Sequence, residues 1–312
     1  AELAKSMAAA AADKKRKKEL EQIAEACVWV PENPPRNFHE VLQAWFLLFL
    51  LVRVLDIQTS GIGDRIDQLW YPFYKKDKDA GKITPEEAQE LIEHIWLKIT
   101  ELTDFNAPIM ASGAHTTPRY ITIGGQDHLG RDATNELTYI IMDSVKALKL
   151  VEPMMVVRLH RNTPDEFLYR FTDILREDSG HYGIFNDEYM VPYLISKGFS
   201  IEDARNWAVE DCMRHTVVGK PMGHRAIAGP GFMLPKCLEY ALYQGKDYKF
   251  FDGKQIGAPT PDPLTFTTID DMINAYLEQV RFFTEKIVIF SNITDAVEEQ
   301  WLPQPFNSAL LD

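Results

Sequence analysis

The stretch YITIGGQDHLGRDATNELTYIIMDSVKALKLVEPMMVVRLHRNTPDEF, residues 120–167, decides the fold. Tyr120 to Gly124 alternates as a strand does, and Asp127 to Asp132 supplies a turn around Gly130. A helical pattern follows from Thr134 to Leu150, and Met154 to Leu159 is a compact apolar run of strand length. Thr163-Pro164-Asp165-Glu166 then carries the capping signals of another helix, running to about Asp178. Short strands separated by helices predict an α/β architecture with parallel strands and an active site at their C-terminal ends.

Downstream the same rhythm continues. Ile184-Phe185 reads as a short strand, Glu188 to Lys197 as a helix ended by Gly198, and Ser200 caps a helix over Ile201 to Asn206. Trp207 to Val209 is a further strand, after which Cys212 opens a loop rich in Gly and Pro. Helices resume over Phe232 to Tyr243 and Ile269 to Phe290. Upstream, the first thirty residues are helical by composition until Pro31, Pro34 and Pro35 stop them. Asn37 caps a helix over Phe38 to Leu55 that is apolar on nearly every face, the pattern of a helix inside a large protein or an interface. A short helix over Trp70 to Asp79 precedes one from Thr84, with Pro85 at its first position.

The 46 acidic residues exceed the 33 basic ones and leave a net charge of −13, a surface that repels phosphate backbones and argues against nucleic acid as a partner. Three cysteines, Cys27, Cys212 and Cys237, are too few and too scattered for a disulfide framework, and with no signal peptide in view the expected compartment is the cytoplasm. The longest apolar run, Ala44 to Val52, is closed by Arg53 and falls well short of the roughly 20 residues of a membrane span, so no membrane partner is expected. The chain opens without methionine in helix-like sequence and closes at Ser308 to Asp312 with no polar tail, so it is expected to be a piece of something longer.

Cys212 draws the chemistry. Asp211, Arg214, His215, Lys220, His224 and Arg225 stand near it in sequence, and such cations lower a thiol pKa or hold an anionic substrate. The bland alternative is one more small buried side chain, the reading that suits Cys27 and Cys237 on their helices. A zinc site of Cys212, His215, His224 and Cys237 would lack the tight paired spacing of such sites, and no metal is expected. Gly124 to Gly130 lacks the lysine and hydroxyl residue of a phosphate loop, so a tight turn is the better account. Asp64, Asp67, Asp187 and Glu188 are candidate acids or bases, with nothing local to select among them.

Gly124-Gly125-Gln126-Asp127 followed by Asp132-Ala133-Thr134-Asn135-Glu136-Leu137 resembles a box of the pyruvate formate-lyase-like superfamily of glycyl-radical enzymes. Val157 to Pro164, Phe185-Asn186-Asp187-Glu188 and Glu202-Asp203-Ala204-Arg205, the last at the family's distance before Cys212, resemble its further boxes. Asn33-Pro34-Pro35-Arg36, Arg65-Ile66-Asp67-Gln68 and Pro305-Phe306 fit as well, so the resemblance runs in order along nearly the whole chain.

The resemblance implies part of a ten-stranded α/β barrel made of two half-barrels with surrounding helices, residues 1–312 being a fragment of that single barrel domain. It also implies a thiyl radical on Cys212, formed by a glycyl radical on a C-terminal glycine whose box is absent from this sequence. No cofactor would be bound directly; a radical SAM activating enzyme with an iron–sulfur cluster would install the radical anaerobically, and a homodimer or further subunits would complete the assembly. Many family dehydratases, lyases and arylacetate decarboxylases carry Gly-Cys-Val-Glu, where this chain reads Asp211-Cys212-Met213-Arg214-His215, and arginine is no base. Thr59-Ser60-Gly61 stands where dehydratases tend to have a histidine, and the Cys-Cys pair of pyruvate formate-lyase is missing. The Cys-Met pair and Arg225 resemble the succinate synthases, which add a hydrocarbon radical to fumarate. Arg214, His215 and Arg225 would then bind a small carboxylated substrate, and Met213, Met222, Phe232 and Met233 would line an apolar pocket. A radical decarboxylase, another carbon–carbon or carbon–heteroatom lyase, and a non-catalytic paralogue or assembly subunit are the alternatives.

Overall fold

The computed structural model describes residues 1–55, 64–101, 120–150, 152–177, 182–211, 214–220 and 233–301. The chain forms two compact units that divide after Met222.

In the first unit, six helices among the described residues precede the sheet: α1 (Glu2–Ala10), α2 (Lys14–Trp29), α3 (Phe38–Leu55), α4 (Ile66–Leu69), α5 (Tyr71–Asp79) and α6 (Pro85–Glu101). The Asp13 side chain caps α2 by accepting the Arg16 N–H. Helical spacing brings Phe38, Trp45, Phe49, Trp70, Tyr74 and Trp96 into one buried aromatic core. The Trp45 ring meets Trp70 edge-on, with centroids 5.4 Å apart, and Trp70 stacks on Trp96 at 6.2 Å. The Trp96 indole N–H donates to Ser144 Oγ at 2.8 Å, which satisfies its one polar atom.

The sheet follows as β1 (Tyr120–Gly124), α7 (Glu136–Leu148), β2 (Met154–Leu159), α8 (Asp165–Glu177) and β3 (Tyr182–Asn186). The three strands are parallel in the order β1-β2-β3, with Thr122 opposite Val156 and Val157 opposite Ile184. Two consecutive strand–helix–strand crossovers produce this order, as the alternating sequence pattern predicts. All five β1 residues are buried, and Arg65 bridges to Thr122 in parallel on the other edge of β1. Asn135 opens α7 with a capping box, its side chain accepting the Thr138 N–H while Thr138 Oγ1 accepts the Asn135 N–H.

Next come α9 (Asp187–Ser196), α10 (Ile201–Arg205), β4 (Trp207–Asp211) and β5 (Arg214–Val217). The expected strand at Trp207 is present, but Arg214 and His215 are not in a loop. They belong to β5, which pairs antiparallel with β4, Val209 facing His215 and Asp211 facing Arg214. The β-branched Thr216 and Val217 are buried and pair with Ala208 and Trp207, and that packing overrides the local signal.

The second unit contains α11 (Leu234–Leu242), the two-residue strands β6 (Lys246–Asp247) and β7 (Lys254–Gln255), a 3-10 turn at Pro263–Thr265, and α12 (Ile269–Trp301). The buried Asp247 carboxylate accepts from the Phe250 and Lys249 N–H groups and from Tyr240 Oη, and it faces Lys236 at 3.0 Å. These partners, the Phe250 N–H foremost, pull its pKa down to about 2. Among the described residues, no helix is long and apolar enough to cross a membrane.

Candidate functional site

The C-terminal ends of the three parallel strands bring Gly124, Arg158 and Asp187 together. Arg158 lies near the end of β2 and Asp187 immediately follows β3; both side chains are fully buried. The Arg158 guanidinium grips the carboxylate with two contacts, Nε to Oδ1 at 2.9 Å and Nη2 to Oδ2 at 2.8 Å. Its remaining reach goes to backbone: Nη1 donates to the Trp207 carbonyl at 2.8 Å and Nη2 to the Arg205 carbonyl at 2.9 Å. Its plane lies over the Trp207 ring, 4.6 Å from the centroid. Asp187 is equally occupied, with Oδ1 accepting from Trp207 Nε1 and Oδ2 from the Gln126 N–H, each at 2.9 Å. A buried ion pair is tolerable when both partners are satisfied in this way.

A second buried pair of residues supports the first. Arg65 Nη2 donates to the Gly124 carbonyl at 2.8 Å, and Nη1 reaches the Arg205 carbonyl at 3.3 Å. Burial, with Arg158 nearby, pulls the Arg65 pKa down to about 9. Asp67 Oδ2 accepts the Gly124 N–H at 2.9 Å and the Thr138 hydroxyl at 2.8 Å, while burial raises its pKa. Gly124 and Gly125 have φ of +74° and +79°, so the tight-turn reading holds. A Cβ on Gly125 would lie 2.5 Å from Arg158 Nε, so this glycine also makes room for the guanidinium. Gly130 does the same for Arg205, whose Nη1 donates to the His128 carbonyl at 3.0 Å.

The anticipated site residues fare differently. Cys212 and Arg225 lie outside the described residues, as do Met213, His224, Met222, Phe232 and the segment containing Thr59-Ser60-Gly61. Asp211 pairs with Arg214, which leaves Cys212 and Met213 as the two residues between β4 and β5 in the sequence. The backbone of Arg214 begins β5. His215 is half-buried on β5, its ring edge-on to Tyr193 with centroids 5.1 Å apart, and burial lowers its pKa. Met233 is largely exposed at the start of α11. Cys237 is buried on α11 with its thiol pKa raised by burial, and Cys27 is half-buried on α2. Among the described residues, no group of three or more His, Cys, Asp or Glu is arranged to hold a metal.

Of the four candidate acids, Asp187 is consumed by four hydrogen bonds and has no free lone pair to act as a base. Asp64 accepts from the Trp45 indole, and burial raises its pKa to about 6. Glu188 pairs with Arg161 at the rim of a cleft of about 260 Å3 that also includes Gln126, Asn162 and Arg205. Local reading of the sequence did not single out Arg158, which the structure places at the centre of this network. The available signal was its place at the C-terminal end of a strand, where α/β proteins build their sites.

A parallel sheet built by strand–helix–strand crossovers, with β4 held at its C-terminal ends, defines an α/β architecture. The particular family follows from comparison: a family model described as pyruvate formate lyase-like matches residues 1–312, and the chain belongs to that family. It is 37% identical over 320 residues to an isethionate sulfite-lyase of Oleidesulfovibrio alaskensis, covering 100% of this chain and 38% of that protein. The glycerol-bound B12-independent glycerol dehydratase of Clostridium butyricum superposes with a TM-score of 0.87 at 31% identity, covering 100% of this chain and 39% of that one. A glycyl radical enzyme of Archaeoglobus fulgidus gives 0.84 at 30% identity, with 100% and 40% covered. The chain thus spans about two-fifths of these relatives and has the fold of part of a glycyl-radical enzyme barrel, mixed α/β with a parallel sheet. The family boxes quoted from the sequence supply Arg65, Asp67, Gly124, Gly125, Arg158, Asp187 and Arg205, all members of the one network.

Proposed function

We propose that this chain is the cysteine-bearing part of a glycyl-radical lyase, in which Cys212 carries the thiyl radical. A glycine outside the given sequence would store the radical, and a radical SAM activating enzyme would install it. The observation that supports this reading is the convergence of the family boxes on the strand that ends one residue before Cys212.

In the proposed reaction, the Cys212 sulfur takes a hydrogen atom from a substrate C–H. The heteroatom group on the neighbouring carbon then leaves with the bonding electron pair and takes up the proton given up by a hydroxyl on the radical carbon, and the Cys212 S–H returns a hydrogen atom to the resulting carbonyl-stabilised product radical. Relatives named as a sulfite-lyase and a dehydratase favour this elimination over addition to fumarate. Arg214 replaces the glutamate that resembling enzymes carry two residues after the cysteine, so this position offers positive charge where they offer a base. The substrate class that suits Arg214, His215 and Arg225 is a small organic anion, a carboxylate or sulfonate, held by a planar guanidinium.

The test uses the full-length protein, activated anaerobically and supplied with isethionate and a panel of small hydroxy-carboxylates and hydroxy-sulfonates. Release of the leaving group, lost in Cys212→Ser while the radical signal persists, is the expected result. Turnover that survives Cys212→Ser overturns the assignment. Failure to form any radical signal favours a non-catalytic paralogue.

A further inference from the structure

We infer that Arg158 and Asp187 are positioning residues for the strand that leads into Cys212, fixing where the thiol stands without taking part in its chemistry. Its catalytic meaning rests on the proposed role of Cys212; its geometry does not.

Strands β4 and β5 form a two-stranded sheet of their own and share no backbone ladder with β1-β2-β3. Side chains therefore attach β4 to the platform. Arg158 takes the Trp207 and Arg205 carbonyls, Arg65 takes the Arg205 carbonyl a second time, and Asp187 takes the Trp207 indole N–H. Farther along the strand, the Val209 N–H donates to Thr122 Oγ1 at 2.9 Å. Every one of these bonds lies within residues 205–209, just upstream of the cysteine.

β4 runs from Trp207 to Asp211 with a register irregularity between Val209 and Asp211, and the clamp holds its first half. A small rotation at the clamp is carried into the rest of the strand. Hydrogen-atom transfer needs near contact, and a misplacement of about 1 Å can cost a reaction on the order of a hundredfold. Arginine suits the clamp because one planar fork meets a carboxylate and two carbonyls at once, which a lysine ammonium cannot do. Gly125 is what admits that fork to the strand end.

The test compares Arg158→Lys, Asp187→Asn and Trp207→Phe in the full-length protein by hydrogen exchange and by native-state alkylation of Cys212, with Cys237 as internal reference. We expect exchange in residues 207–211 to accelerate at least about tenfold beyond any acceleration in peptides of β1 and β2, which report the loss of overall stability. Cys212 alkylation should change at least about fivefold with Cys237 unmoved, and Arg158→Lys should not rescue either readout despite its charge. Uniform acceleration across all peptides would mean that the pair merely stabilises the fold, and that result overturns the inference, as does no change at all. Should the first two variants fail to fold, Trp207→Phe decides, since it keeps the aromatic body and removes one donor to Asp187; exchange confined to β4 supports the inference and its absence overturns it. None of these readouts needs turnover, so they can fail while Cys212→Ser still abolishes activity, or succeed while it does not.

Discussion

Two arginine–carboxylate pairs lie almost side by side at the ends of β2 and β3. Arg158 pairs with Asp187 and Arg161 with Glu188, so the cations stand three positions apart in the sequence and the anions are adjacent. The first pair is 0% exposed on both sides; in the second, the arginine side chain is 74% exposed and the glutamate 28%. Both arginines grip their carboxylates through two nitrogens. What differs is the surroundings: Arg158 and Asp187 also hold backbone carbonyls, an indole N–H and an amide, whereas the outer pair faces water. Equal chemistry in unequal dielectric gives unequal consequences, because an unpaired buried charge keeps nearly its whole desolvation penalty.

The largest effect expected follows directly. Arg158→Ala leaves Asp187 buried and uncompensated and should destabilise the first unit by ~3–5 kcal/mol. Urea unfolding followed by tryptophan fluorescence checks this, since Trp29, Trp45, Trp70, Trp96 and Trp207 all lie in that unit. A loss no greater than that of an exposed ion pair would break the comparison.

Asp64 sharpens it, as a buried carboxylate that faces an indole and, among the described residues, no cation. Burial lifts its pKa from 3.8 to about 6 in the folded chain. The folded state therefore holds the proton more tightly than the unfolded state between those values. The contribution of Asp64 to stability is complete below about pH 4 and is lost as pH rises through about 6. A shift of this size corresponds to ~3 kcal/mol. Asp64→Asn should flatten the stability profile between pH 4 and 6 and raise stability at neutral pH relative to the parent. A profile with unchanged slope in that window would show that Asp64 ionises freely.

Next in size is Gly125→Ala. A side chain at φ +79° is strained, and its Cβ would lie 2.5 Å from Arg158 Nε. Backbone strain alone costs about 1–3 kcal/mol. The displaced guanidinium should also loosen residues 205–209, detectable as faster hydrogen exchange there than in Gly81→Ala. Gly81 has φ +67° and open space around it, so that variant carries the strain without the collision.

These residues also mark what the sequence made legible. Apolar patterning placed β1, β2, α3 and the start of β4 where they stand, because elements enclosed on most sides read as dense apolar runs. It ended α12 near Phe290, whereas the helix continues to Trp301 through Ser291, Asn292 and Thr294. It missed β5, whose Arg214-His215-Thr216-Val217 is polar at three of four positions and is held by pairing with β4. The clamp was legible only as family resemblance. Arg158 and Asp187 are 29 residues apart, and nothing near either announces that adjacent parallel strands will join them. The reading of Asp187 as one candidate acid or base among four did not foresee that its carboxylate is occupied by Arg158, Trp207 and the Gln126 N–H.

The smallest effect belongs to the outer pair, where Glu188→Gln removes one charge at the rim of the cleft. Arg161 holds the Glu188 carboxyl down at about 2, chiefly through side-chain hydrogen bonds. A depressed carboxyl pKa gives stabilisation that is present above about pH 4.5 and lost as pH falls toward 2. Water and salt screen that attraction, and the long Arg161 side chain loses rotamer freedom in making it. Glu188→Gln should therefore shift the unfolding midpoint at pH 7 by no more than about 2 °C and leave the hydrogen exchange of β4 unchanged. Raising the salt concentration should narrow even that difference. A loss comparable with Arg158→Ala, or one that persists in high salt, would mean that the outer pair is shielded in the full-length protein, and the contrast between the two pairs would then disappear.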